Sequence, residues 1–319
     1  MIHDPEFMTG TKPQAYSSTQ APGAFSLATN GARMISTNRN GEFAFYYGPG
    51  WHTDGTVIAA NFDRHVAFLG PSHYGVHPQA AYSIDLQKEA WVDARKKDGY
   101  RPAKIYAQSK GALTVSHMFA DPTFRSAFGE VDSICFDSPV SSRHVIRTMP
   151  NRMMALARRL PNHPVIERLC RIGMESMLAS DPDFDAALVT KDEARSNSAA
   201  STRTRLAACV SQLEYLWSHD VADFDLREFG AAVPNKKIIS AAHDSLIDVP
   251  VAAVAINESY GGGFEHWIDT ARRHGDHATG TERPQGVIDA LTDRRANAYR
   301  VVSIGALATK RIVNAPKVP

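Results

Sequence analysis

The chain has 319 residues, 43% of them hydrophobic and 22% charged, and 35 Lys and Arg against 34 Asp and Glu leave a formal net charge of +1. That apolar share excludes a disordered chain and supplies one large α/β core with an embellishment. The near-neutral balance offers no basic footprint for nucleic acid, and no apolar run approaches the roughly 18 uncharged residues that a membrane-spanning helix needs. What remains is an enzyme or binding protein for a small molecule.

Met1 to Phe7 precede a second methionine, Met8, without the basic-then-apolar order of a signal peptide, and read as a tag remnant. Thr9 to Gly23 is rich in Thr, Ser, Pro, Gly and Gln, so residues 1–23 are expected to form a flexible arm outside the fold. Phe25 to Ser36 holds two short apolar runs around Asn30-Gly31, a pair that tolerates positive φ and predicts a tight antiparallel hairpin. Short continuous apolar runs follow at Phe43–Tyr47, His65–Leu69, Ala103–Tyr106, Val131–Phe136 and Lys237–Ala241, as strands covered on both faces show. Helical patterns at Asp85–Lys97 and Lys110–Phe119 separate some of them. This alternation predicts an α/β fold, a mostly parallel central sheet flanked by helices.

Ser141 to about Ala231 breaks that rhythm with long helical patterns and no convincing strand, and predicts a helical insertion over 141–231 between core segments 24–140 and 232–319. Five of the nine methionines (Met149, Met153, Met154, Met174, Met177) and seven arginines (Arg143, Arg147, Arg152, Arg158, Arg159, Arg168, Arg171) fall in its first part. Such a face either packs the insertion onto the core beneath solvated arginines, or roofs an apolar substrate pocket whose basic rim attracts acidic ligands or a membrane surface. Cys135, Cys170 and Cys209 sit among apolar neighbours with no C-x-x-C pair, which suggests neither zinc nor disulfides and fits a reducing, cytoplasmic setting. The tail from Asn314 to Pro319 is expected to fray, and Ala296 to Val313 carries no assignable role.

Chemistry concentrates between Ala103 and Phe119, which reads as strand, abrupt turn and helix. Ser109 is the centre of Ala107-Gln108-Ser109-Lys110-Gly111, a G-x-S-x-G nucleophile elbow with alanine at the first glycine. Small residues two before and two after the serine let the strand and helix close on a strained turn, and alanine meets that steric demand. Such a turn lifts the hydroxyl to the carboxyl edge of the sheet and aims the next helix's N–H groups at developing negative charge.

Here the chain resembles the α/β-hydrolase family, in the order serine, acid, histidine. Lys237 to Pro250 is similar to the family's late core strand and acid loop, which puts Asp244 in the acid's place. Trp267 to Ala278 and Glu282 to Leu291 look like its last strand, histidine loop and closing helix, which puts His277 in the base's place. Asp137, directly after the Val131–Phe136 strand, is the alternative acid, because some members carry it there. Asp248 is expected to cap a helix starting near Pro250, and His266 to be structural. A metal pair of His274 and His277 lacks a third ligand, so no metal is expected. His52, His73, His77 and His243 could approach the site.

The resemblance implies an oxyanion hole from the backbone N–H groups of Lys110 and of Trp51, with Gly50 as the alternative, because Pro49 cannot donate. It implies a serine hydrolase that cleaves a carboxylic ester or related small acyl substrate with an apolar moiety through an acyl-enzyme on Ser109, without an organic cofactor. An acyltransferase, or a silent hydrolase-like protein that binds a ligand or partner, would use the same scaffold.

Overall fold

A computed structural model of the chain describes residues 25–29, 32–36, 43–48, 50, 66–71, 83–147, 152, 155, 156, 159, 212–242, 244, 246–269, 290–292 and 299–304. The arm over 1–23 and most of the Met- and Arg-rich stretch lie outside them. Among the described residues there are nine strands: β1 (Phe25–Thr29), β2 (Ala32–Ser36), β3 (Phe43–Gly48), β4 (Val66–Pro71), β5 (Ala103–Gln108), β6 (Val131–Asp137), β7 (Asn235–Ala241), β8 (Glu265–Asp269) and β9 (Tyr299–Ser303). They form one sheet in the order β1-β2-β4-β3-β5-β6-β7-β8-β9.

β1 and β2 are antiparallel with Thr29 opposite Ala32, which leaves Asn30-Gly31 as the two-residue connection read from sequence. β2 meets β4 antiparallel. The six central strands, β4, β3, β5, β6, β7 and β8, are all parallel neighbours. β9 closes the far edge antiparallel to β8, within the stretch to which the sequence assigned no role. The expected α/β architecture, a mostly parallel sheet flanked by helices, is therefore present.

Every residue of β3 is buried, as a strand covered on both faces must be. Alternate residues divide between two layers. Ala44, Tyr46, Ile105, Ala107, Ile134, Phe136 and Ile238 belong to the main hydrophobic cluster, and the helices supply the rest of it. These are α1 (Ile84–Lys97), α2 (Lys110–Ala120), α3 (Pro122–Phe128), α4 (Arg227–Ala232) and α5 (Val249–Ser259), together with the helical turn pair over 212–218. Phe119 of α2 is the hub: it stacks on Phe229 at 4.2 Å between ring centroids and meets Phe124 and Phe128 edge-on. Edge-to-face and offset pairs of this kind add to what burial alone contributes.

Two close approaches depend on glycine. A Cβ at Gly48 would stand 2.8 Å from Val115 Cγ2 and 3.0 Å from the Ala107 Cβ, so the absence of a side chain in β3 makes room for the alanine that replaces the first elbow glycine. A Cβ at Gly230 would lie 2.0 Å from the Tyr260 carbonyl oxygen, which welds α4 to the end of α5.

The Val221 N–H donates to the Ser141 carbonyl at 2.9 Å, which brings the two ends of residues 142–220 together. Among the described residues between them there are helical turns and no strand, apart from an isolated bridge of Ile146 to Ile247. Val221, Leu226 and Phe229, which the sequence reading placed inside the insertion, are buried in the main core. At the other end, the helical carbonyls of Ala290 and Leu291 are held by donors from three adjacent strands. Lys104 Nζ, Ser133 Oγ and Asn235 Nδ2 reach the Leu291 oxygen at 3.2, 2.7 and 3.3 Å, which satisfies a helix end that would otherwise be orphaned.

Candidate functional site

Because β5, β6 and β7 run parallel, their carboxyl ends share one edge, the edge at which α/β sheets bind ligands. Ser109 follows β5, Asp137 ends β6 and Asp244 follows β7 by three residues, so the fold gathers these three predicted positions at neighbouring strand ends. β8 ends at Asp269, ahead of His277 in the chain. His277 and Trp51 lie outside the described residues, as do Pro49, His52, His73, His77, His243 and His274. Gly50 is buried.

Ser109 occupies the single-residue turn between β5 and α2 with φ 51° and ψ −118°, a conformation that L-residues rarely adopt and that costs on the order of 1–3 kcal/mol. Neighbouring backbone enforces it. The Ser109 N–H donates to the Asp137 carbonyl at 2.8 Å, and its own carbonyl accepts from the Val140 N–H at 3.0 Å, so residues 137–140 grip both backbone polar groups of the serine. Lys110 is buried and is the first residue of α2, at the helix end that favours negative charge. The α2 helix is fixed below by Ser116, whose hydroxyl donates to the Ala112 carbonyl at 2.8 Å and lies 3.0 Å from the Tyr260 hydroxyl.

The two candidate acids are held differently. Asp137 is fully buried, and its Oδ2 accepts a 2.6 Å hydrogen bond from Tyr106. Burial first, and Asp137 second, push the Tyr106 hydroxyl well above its ordinary pKa, so it stays protonated and remains a donor. Tyr106 stacks between Phe45 and Tyr47, and the Tyr47 hydroxyl donates to Gln108 Oε1 at 2.9 Å. Asp137 is thus built into a polar layer on the sheet face beneath the elbow. Asp244, in contrast, sits in the loop beyond β7, buried, with Oδ1 accepting from the Leu246 and Ile247 N–H groups at 2.9 Å each. Those bonds turn the loop on the carboxylate and fix its direction.

Asp248 caps α5 as expected, its carboxylate accepting from the Val251 N–H at 3.4 Å with Pro250 in the first turn. His266 is structural in kind: it is buried, its Nε2 lies 2.7 Å from Ser240 Oγ, and burial lowers its pKa to about 4. Among the described residues, no three His, Cys, Asp or Glu side chains converge as a metal site would require, and no helix is long and apolar enough to cross a membrane. Cys135 is buried and burial drives its thiol pKa up, which makes it a poor nucleophile; Cys170 and Cys209 lie outside the described residues.

Two features had no sequence signal. Ser138, one residue beyond β6, also has positive φ, 42°, and its fully buried hydroxyl has no hydrogen-bond partner among the described residues. Its N–H is anchored on the Ile239 carbonyl at 2.8 Å. Arg147 reaches the acid loop and donates from Nε to the Asp244 carbonyl at 3.1 Å. Both are contacts between distant segments, which no local pattern encodes.

No family model matches the sequence, and no curated protein sequence matches it either. Solved structures do. The chain is similar to a bacterial membrane phospholipase A, with 13% identity and a TM-score of 0.61 over 92% of this chain and 93% of that one. It is similar to a putative aryl esterase from Burkholderia cenocepacia, with 12% identity and a TM-score of 0.57 over 85% and 97% of the two chains. It is also similar to the enol-lactonase from Burkholderia xenovorans LB400, with 14% identity and a TM-score of 0.56 over 84% and 100%. At such identities the likeness establishes a shared fold.

Proposed function

We propose that this chain, which has the α/β-hydrolase fold, is a serine hydrolase that cleaves a carboxylic ester or related acyl substrate. The observation that carries the reading is Ser109, held at φ 51° on the turn between a central parallel strand and the helix behind it. Strain of this kind clusters at active sites, and at Ser109 it coincides with the centre of the small-x-Ser-x-small elbow.

In the proposed reaction Ser109 Oγ attacks the acyl carbonyl while His277 takes its proton. Asp244 orients the imidazole and stabilises its protonated form. The assignment of Asp244 in preference to Asp137 is supported by their surroundings: the Asp137 carboxylate is bonded to Tyr106 within the sheet layer, whereas Asp244 stands on a loop past the strand end. The N–H groups of Lys110 and Trp51 hold the tetrahedral oxyanion, His277 returns the proton to the leaving alkoxide, and water then attacks the acyl-enzyme to release the acid and restore Ser109. The helical segment within 141–231, with its methionine-rich first part, forms the apolar roof over the acyl group.

A fluorophosphonate probe and p-nitrophenyl esters of increasing chain length test this directly. Wild type is expected to carry the probe on Ser109 and to hydrolyse the esters; Ser109→Ala is expected to lose both, with turnover falling on the order of 10⁴- to 10⁶-fold at an unchanged thermal transition. No adduct on the folded wild type at high probe concentration would reject the enzyme and favour a silent binding protein.

A further inference from the structure

Around the acid loop, the chain that leads out of β6 doubles as a brace. Ile146 and Ile247 form an isolated antiparallel bridge, and both side chains are buried. Beside it the Asp248 N–H donates to the Val145 carbonyl at 2.7 Å and the Arg147 N–H donates to the Leu246 carbonyl at 2.9 Å. Arg147 then adds a side-chain bond, Nε to the Asp244 carbonyl at 3.1 Å. The acid's own residue is thereby held from two directions: its carboxylate is fixed by the Leu246 and Ile247 N–H groups, and its carbonyl by a guanidinium from a segment 97 positions away in the chain.

We propose that Arg147 is a positioning residue for Asp244, setting the carboxylate's direction through the backbone of its loop; this rests on the serine-hydrolase reading above. A carbonyl bonded to a cationic planar donor is held more firmly than by a neutral one, and a lysine reproduces the charge without the fixed direction of an Nε–H. The peptide at Asp244 is the pivot for its side chain, so a small rotation there displaces the carboxylate relative to the imidazole it must orient. Displacements of about 1 Å at such a partner cost up to 100-fold in rate. Backbone pairing at 145–248 keeps the loop in place without Arg147, so removal of the guanidinium frees the orientation of Asp244 and leaves the fold intact.

The test compares wild type, Arg147→Ala, Arg147→Lys and Asp244→Asn on p-nitrophenyl butyrate, with kcat and KM across pH, and follows hydrogen exchange at the Leu246 and Ile247 amides. Arg147→Ala is expected to lower kcat about tenfold with KM within about twofold. It is also expected to move the acidic limb of kcat/KM to lower pH, in the direction of Asp244→Asn, because a displaced carboxylate supports the protonated imidazole less well. Exchange at both amides should quicken, and Arg147→Lys should recover part of kcat. Unchanged exchange in Arg147→Ala overturns the proposal, and so does faster exchange with kcat and the acidic limb at wild-type values. If wild type labels at Ser109, such a result rejects this proposal alone. If wild type does not label, the hydrolase reading falls, and the role given to Arg147 falls with it.

Discussion

Ser109 and Ser138 lie one strand apart and both hold positive φ, at 51° and 42°. For Ser109 the strain comes with two backbone hydrogen bonds from residues 137–140 and a site at the sheet edge. Ser138 carries a second cost, a buried hydroxyl without a partner among the described residues, worth roughly 1–3 kcal/mol where such a group is desolvated. Ser138→Ala is therefore expected to raise the unfolding free energy by about 1 kcal/mol in urea titration, with Ser138→Gly at least as stable because it also releases the φ penalty. A loss of stability in Ser138→Ala would mean that the hydroxyl is bonded after all. Nothing in Asp-Ser-Pro-Val announces either property. Ser109 was legible because the spacing of small residues around it is local, and Asp248 because a cap and a following proline are local; Ser138 and Arg147 were not, since their significance lies in partners on other strands.

At the level of elements, continuous apolar runs revealed the central strands, because burial on both faces leaves no polar alternation. The antiparallel β9 escaped the same reading. Its sequence, Tyr-Arg-Val-Val-Ser, is short, and Val301 is 42% exposed at the sheet's edge, so neither a continuous run nor a clean alternation marks it. α4 lies almost wholly within the stretch read as helical, but its bounds were not legible: a six-residue helix anchored on Phe229 offers too few turns for a period to emerge, and the contact that fixes it is the approach of Gly230 to Tyr260. Gly230→Ala should push α4 off that carbonyl and unstack Phe229 from Phe119, at a cost of about 2 kcal/mol or more. Thermal unfolding should show a fall of roughly 5 °C, whereas Ala231→Gly in the same helix, at an exposed position, should cost only about 1 kcal/mol.

At the scale of the molecule, two histidines among the described residues that folding keeps neutral contribute to the response to acid. Burial depresses His266 to about 4, and burial together with the neighbouring His219 and Lys88 lowers His117 to about 4 against the opposing pull of Asp85 and Asp121. His117 packs among Tyr215, His219 and Phe224, and is partly open to solvent, so its contribution is screened. The unfolded chain binds these protons near pH 6.5 and the folded chain only near 4, so their neutral burial costs nothing above 6.5 and stability falls as pH drops from 6.5 towards 4. For the fully enclosed His266 the loss reaches about 3 kcal/mol over that interval. His266→Phe should flatten the decline in urea-denaturation midpoint between pH 7 and pH 4.5 relative to wild type; an equally steep decline would assign the acid sensitivity elsewhere.

The hydrogen bond between Ser141 and Val221 has an evolutionary reading. Between residue 147, the last of the brace on the acid loop, and residue 212, where the chain again packs on the core, residues can be gained, lost or exchanged without altering the register of any strand. Entropy restrains such changes only weakly, since the cost of closing a loop grows with the logarithm of its length. Descendants of this scaffold could therefore change what they recognise by rewriting that excursion while inheriting the same sheet edge intact.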